Sequence, residues 1–221
     1  MSRSRAREIL NRLKSEFNIP DRSSMYRDPF ELLVVTVLSQ STTSINTRKA
    51  FKRLKDRFNI SPECLAQAEV RDIEEAIRVG GLYRNKARVL KALSKEVLER
   101  FGGSLDFIYR VSVDEARERL MSLPGVGPKT SDVVLLFAVG RNVLPIDTHI
   151  DRVSKRLHLA PERGNYEAVR RSLESLYETE DYLSVHFAFI NLGRKYCKAR
   201  RPLCRQCPVS DLCPSKSHEK V

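Results

Sequence analysis

Apolar residues recur at the spacing of a helix face along almost the whole chain, and convincing period-two alternation is absent. Ile9, Leu10, Leu13 and Phe17 make one amphipathic face. Phe30, Leu32, Leu33, Val34, Val35, Val37 and Leu38 form a more fully buried segment, and Val89, Leu90, Leu93, Val97, Leu98 and Phe101 another stripe. Further helices are predicted near 44–58, 70–79, 113–122, 129–139, 148–158, 166–177 and 180–194. The connections are short and carry turn chemistry: "NIPDRSS", Gly80-Gly81, "FGGS", "PGVGP" and "APERGN". The pattern predicts an all-α protein of many short helices in one or two bundles, and 221 residues are enough to give such bundles real cores. From Cys197 onward Pro202, Pro208 and Pro214 break any long helix, so the tail reads as a loop wrapped around something.

The net charge of +12 and a pI near 9.7 point to a polyanionic partner, nucleic acid before membrane surface. No run approaches the ~18 uninterrupted apolar residues that a bilayer-spanning helix needs. "MSRSRAREIL" is basic without an apolar core behind it, unlike a secretory leader. The expectation is a soluble intracellular protein, in the cytoplasm or nucleoid.

"LPGVGPKTSDVV", Leu123 to Val134, sets two glycines one residue apart before a helix start. Pro128 suits the first helical turn, where a missing N–H costs nothing. Gly125, Val126 and Gly127 would form a tight hairpin, allowing positive φ and a close backbone approach to a ligand. The free N–H groups of the following helix start can take a phosphate, gripping a DNA backbone without reading its sequence. The same residues also describe a plain helix–turn–helix corner with an exposed lysine. A Walker A loop is excluded, because Pro128 stands where that motif needs a glycine directly before the lysine. Lys129 stands at the positive end of the helix dipole, which with partial burial would favour the neutral, nucleophilic amine over the ammonium. An amine beside a phosphate grip suggests chemistry on a sugar within DNA.

"LPIDTHIDRV" places Asp147 just before another helix. Asp is among the best N-caps, and it is equally a carboxylate able to stabilise a cationic sugar or move a proton. His149 reads as a packing or phosphate-contacting residue. Alternate residues of a helix do not share a face, so this stretch is a poor metal site. Cys197, Cys204, Cys207 and Cys213 are spaced C-x6-C-x2-C-x5-C, which suits zinc or an iron–sulfur cluster. Lys198, Arg200, Arg201 and Arg205 decorate that loop as candidate phosphate contacts. Cys64 stands apart as a small packing residue.

These motifs, taken in order, resemble the endonuclease III family of helix–hairpin–helix DNA glycosylases. The resemblance rests on "LPGVGPKT", on "IDTHIDRV" and on the four-cysteine tail, and is extended by "VLSQST" and "GLYRNKA" over nearly the whole chain. It implies two all-α lobes with DNA between them: a helical barrel over 21–140 carrying the hairpin at about 120–134, and a lobe of 1–20 with 141–221. That second lobe would hold a [4Fe–4S] cluster on the loop 197–213. It further implies that Lys129 attacks the sugar C1′, that Asp147 assists attack and base departure, and that a Schiff base then permits β-elimination. Gln40 would fill the gap left by an everted nucleotide and Leu82 would wedge nearby, with Gly125, Val126, Gly127, Thr130, His149, Lys198, Arg200 and Arg201 as further DNA contacts. Base flipping is required because C1′ is inaccessible in a stacked duplex. Gly80 departs from the apolar wedge residue common in the family, and Thr43 from an acidic one. Oxidised pyrimidines such as thymine glycol are the expected substrate class, removal of uracil or thymine from mismatches the alternative, and a non-catalytic hairpin DNA-binding protein a remote one. The expected partner is double-stranded DNA with a damaged base or abasic site, bound by a monomer.

Overall fold

The computed structural model describes residues 2–20 and 28–216. It divides into two compact units: Met25–Arg141, and Met1–Ser24 together with Asn142–Val221. The expected start of the barrel at residue 21 lies outside the described residues. Among the described residues there is no strand.

The unit Met25–Arg141 is built around α2 (Pro29–Ser39). Its β-branched run would be a mediocre helix on propensity alone, but burial decides. Leu33, Val34, Val37 and Leu38 are at most 1% exposed, and Asp28 caps the start by accepting the Glu31 N–H at 2.6 Å. Around it lie α3 (Ser44–Arg57), α4 (Pro62–Gln67), α5 (Val70–Ile77) and the long α6 (Tyr83–Phe101). Helix α6 buries Ala87, Leu90, Leu93 and Val97 on one face and stops at Gly102 in the left-handed region. After the short α7 (Phe107–Arg110), α8 (Val113–Met121) and α9 (Pro128–Val134) make the hairpin pair. Helix α9 runs on through one π turn, Leu135–Val139, which Gly140 closes at φ +72°. The apolar pattern alone revealed neither α4 nor α7, each too short to show a period.

The second unit joins the chain's two ends. Helix α1 (Arg3–Glu16) buries Ala6, Ile9, Leu10 and Leu13 and packs on α12 (Tyr182–Lys195). Helices α10 (Thr148–Arg156) and α11 (Tyr166–Leu176) complete the bundle. Arg5 of α1 donates to the carbonyls of Leu157 at 2.6 Å and Leu212 at 3.2 Å, tying α1 to the cysteine tail.

One buried ion pair fixes the hairpin. Arg117 of α8 donates through Nε to Asp132 of α9 at 2.6 Å, with side chains 8% and 0% exposed. Removing one partner strands a buried charge. Arg117→Ala is therefore expected to cost about 3–5 kcal/mol in urea unfolding, while replacing both residues with apolar side chains (Arg117→Met with Asp132→Leu) should recover most of it.

Candidate active site

The hairpin descends from α8 through two internal turns. The Leu123 N–H bonds the Leu120 carbonyl at 3.1 Å and the Val126 N–H the Leu123 carbonyl at 3.2 Å. Gly125 sits at φ +76°, and a Cβ there would come within 2.4 Å of Val89 Cγ1. Any other residue would strain the backbone and push Val89 aside. Gly127 is the N-cap of α9 in extended backbone and offers no side-chain acceptor, while its carbonyl takes the first helical bond from Ser131 at 3.0 Å. Pro128 has no N–H, so the amides of Lys129 and Thr130 are helix-start donors that no cap satisfies.

Of the residues expected here to meet DNA, Val126 and Thr130 have buried side chains, and the Val126 amide is already used internally. What the hairpin presents outward is Gly125, Gly127, Lys129 and the first-turn amides. Lys129 is exposed, so partial burial adds nothing to the effect of the helix dipole; the buried run of α9 begins at Thr130. Gln40, exposed just past the end of α2, donates through Nε2 to the Gly125 carbonyl at 3.1 Å. Leu82 is 61% exposed and left-handed at φ +47°.

In the other unit, Asp147 follows a buried non-helical segment, Val143–Ile146, three of whose backbone groups are met by side chains. Glu174 accepts the Leu144 N–H at 2.9 Å, the Tyr166 hydroxyl lies 3.3 Å from the Ile146 N–H as its acceptor, and His186 Nδ1 lies 3.0 Å from the Pro145 carbonyl. Asp147 then caps α10, accepting the N–H groups of His149 and Ile150 at 2.8 Å each. Both bonds converge on Oδ1, so capping occupies one carboxylate oxygen only. His149 is half-buried, with Nδ1 3.1 Å from Arg152 Nη2, and packs so closely on α12 that a Cβ at Gly193 would lie 2.9 Å from its own.

The four tail cysteines line one cavity of about 230 Å³ with Arg156, Leu192, Tyr196 and Val209 among its walls. Burial pushes the Cys207 thiol up to about 11, with the other three cysteines adding to the shift, and raises Cys213 as well. Such a pocket needs positive charge to hold four thiolates. Among the described residues no three His, Cys, Asp or Glu side chains are arranged to hold a metal ion. The donor set that this cavity offers is four sulfurs. Helix α10 reaches into this loop: Arg152 Nε donates to the Cys197 carbonyl at 2.9 Å, and Arg156 Nη1 to the Lys198 carbonyl at 2.7 Å and Cys197 Sγ at 3.4 Å. Sequence reading missed both arginines, although their i, i+4 spacing put them on one face. Lys198, Arg200, Arg201 and Arg205 are exposed, and Cys64 lies apart on α4.

Residues 34–179 match the model of the HhH-GPD superfamily of base excision DNA repair proteins, a span containing the hairpin, Lys129 and Asp147. The chain is 35% identical to endonuclease III of Escherichia coli K12 over 221 residues, covering 100% of this chain and 99% of that one. With Bacillus subtilis endonuclease III it shares 33% identity over 204 residues, 92% and 89% of the two chains. The chain belongs to the endonuclease III family. It is a base-excision DNA glycosylase with an associated AP lyase activity. Among solved structures, it is similar to a trapped endonuclease III–DNA covalent intermediate with an estranged adenine, at TM-score 0.83 and 33% identity, covering 98% and 97% of the chains. A thermostable thymine-DNA glycosylase is similar at TM-score 0.76 and 25% identity, covering 94% and 93%.

The two hairpin glycines give this family member a paired test. Nothing lies within 4 Å of a Cβ built at Gly127, so Gly127→Ala should cost under ~1 kcal/mol of stability. Its methyl meets only an approaching backbone, and affinity for duplex DNA is expected to fall at least ~10-fold in a fluorescence titration. Gly125→Ala should lower both, losing ~1–3 kcal/mol through its left-handed backbone and the Val89 contact.

Proposed function

We propose that Lys129 is the nucleophile, that Asp147 serves base departure, and that the substrate is duplex DNA carrying an oxidised pyrimidine such as thymine glycol. The observation that carries this is the helix start at Gly127–Thr130, where uncapped amides flank an exposed primary amine. The relative trapped as a covalent endonuclease III–DNA intermediate supports it. The amides hold a phosphate, and the neutral amine attacks C1′ as the glycosidic bond breaks, its electron pair leaving with the base, which takes a proton. Opening of the sugar ring gives an iminium ion. Loss of a C2′ proton then expels the 3′ phosphate, and hydrolysis frees the lysine. Asp147 stabilises the positive charge on the sugar while its other oxygen keeps α10 capped. Gln40 and Leu82 enter the space vacated by the everted nucleotide. Lys198, Arg200 and Arg201 contact phosphates, and His149 supports Asp147 through helix packing. The protein acts as a monomer inside the cell.

Cys197, Cys204, Cys207 and Cys213 are the residues that would hold a [4Fe–4S] cluster, and their lining of one cavity supports a shared metal group there. Bound there, the group supplies a cross-link that organises a segment with little core of its own.

Borohydride should trap a covalent adduct between the protein and DNA carrying a preformed abasic site, and Lys129→Ala should abolish it; an undiminished adduct moves the nucleophile elsewhere. Asn caps a helix about as well as Asp, so Asp147→Asn is expected to lose only ~0.5 kcal/mol in stability. It should nevertheless excise thymine glycol at least ~100-fold more slowly, with nicking of a preformed abasic site less affected. A panel of duplexes, each with one oxidised or mismatched base, decides the substrate class: preferential nicking at a uracil or thymine mismatch would replace the oxidised-pyrimidine reading. Protein purified without air should carry about four irons and four sulfides per chain, and one equivalent of zinc in their place would overturn the cluster assignment.

A further inference from the structure

Lys86 is a buried lysine in the unit Met25–Arg141, 4% exposed in the first turn of α6. Its ammonium donates to two main-chain carbonyls, Leu38 at 2.9 Å and Gly80 at 3.0 Å. Burial lowers its pKa, and among the described residues no carboxylate pairs with it. A long cation is rarely buried without an anionic partner, so its place in the fold needs a reason.

The two carbonyls supply it. Leu38 lies at the C-terminal end of α2, where orphan carbonyls and the negative end of the helix dipole accept a cation. Gly80 closes the short 3₁₀ turn Arg78–Gly80. Each carbonyl stands two residues before a side chain assigned above to the everted-nucleotide gap, Gln40 after Leu38 and Leu82 after Gly80. Each loop then passes through a non-glycine residue in the left-handed region, Ser41 at φ +51° and Leu82 at φ +47°. Such backbone persists only where surrounding contacts over-determine it. An ammonium with three rotatable donors can serve both carbonyls from one point, where a planar guanidinium would need more room. Gln40 in turn rests on the Gly125 carbonyl, so the same brace reaches the hairpin.

We propose that Lys86 is a positioning residue that sets the spacing of the Gln40 and Leu82 loops and thereby governs opening of the duplex at the target nucleotide. The proposal rests on the reading that these two side chains enter the helix. It separates Lys86 from the chemistry at C1′: the lysine matters while a base must be taken out of the stack, and little once the stack is already open.

The test uses the full-length protein with Lys86→Met, which keeps the bulk of the side chain and loses both bonds. Lys86→Gln, whose amide retains a donor, is made beside it. The active fraction of each is normalised by borohydride trapping on a preformed abasic site. Single-turnover excision of thymine glycol is then compared in a fully paired duplex and in one where the lesion sits in a three-nucleotide mismatch bubble. Lys86→Met is expected to lose at least ~10-fold on the paired substrate, as misplaced positioning groups do, with the bubble substrate within ~3-fold of wild type and Lys86→Gln intermediate on the paired one. A second readout is independent of excision: 2-aminopurine opposite an abasic-site analogue brightens when unstacked, and Lys86→Met should show a smaller rise at saturating protein. Equal losses on both excision substrates, or an unchanged fluorescence rise, would overturn the proposal and leave Lys86 a scaffold residue. If Lys86→Met fails to fold, the paired-to-bubble ratio and fluorescence of Lys86→Gln decide by the same criteria. Wild-type protein inactive on thymine glycol in both duplexes would sink the substrate reading alone, since the fluorescence comparison still decides the role of Lys86.

Discussion

The hairpin depends on a buried pair of opposite charges. Arg117 and Asp132 join α8 to α9, and moving either one breaks a buried ion pair. That makes the relative setting of the two helices a matter of one arrangement or none. Everything the hairpin offers to a ligand inherits this rigidity: the left-handed Gly125, the uncapped amides after Gly127, and the amine of Lys129. Gln40 leans on the Gly125 carbonyl and so takes its position from the same source.

Two helix starts are handled in opposite ways. At α9 the N-cap is a glycine, so the first amides keep their hydrogen-bonding capacity for something outside the protein. At α10 the N-cap is Asp147, whose Oδ1 satisfies two amides internally. The first start is an open donor site. The second is closed, and the closing bonds fix a carboxylate whose remaining oxygen is available for chemistry. Capping and catalysis are therefore compatible roles for Asp147, since they draw on different atoms of one group.

Much of this is legible in the sequence, for reasons that can be named. Gly125 announces the hairpin because few other residues tolerate its left-handed backbone, and the helical period marks α1, α2, α6 and α11 because each buries a full stripe. Prolines and cysteines set the tail apart from the helices. What escapes is the buried charge. Lys86, Arg117 and Asp132 look like surface residues in a basic chain, and only tertiary structure shows which of its 40 lysines and arginines and 28 acids lie inside. Arg152 and Arg156 are hidden for a related reason, because their acceptors are carbonyls of the distant cysteine loop and leave no mark as a pair in the sequence. The exposure of Lys129 is also a tertiary fact, set by which side of α9 faces α2.

One unit is a continuous stretch of chain, while the other is assembled from both ends. During synthesis the hairpin unit leaves the ribosome whole and can fold as residue 141 emerges. Helix α1, made before the hairpin unit, must wait for α12, made more than 160 residues after it, before Ala6, Ile9, Leu10 and Leu13 find their cover. Through that interval the nascent chain carries a folded, hairpin-bearing unit and an unpaired amphipathic helix. Helix α1 is thus among the last helices to be buried, and the cysteine loop follows a bundle that α12 has just completed.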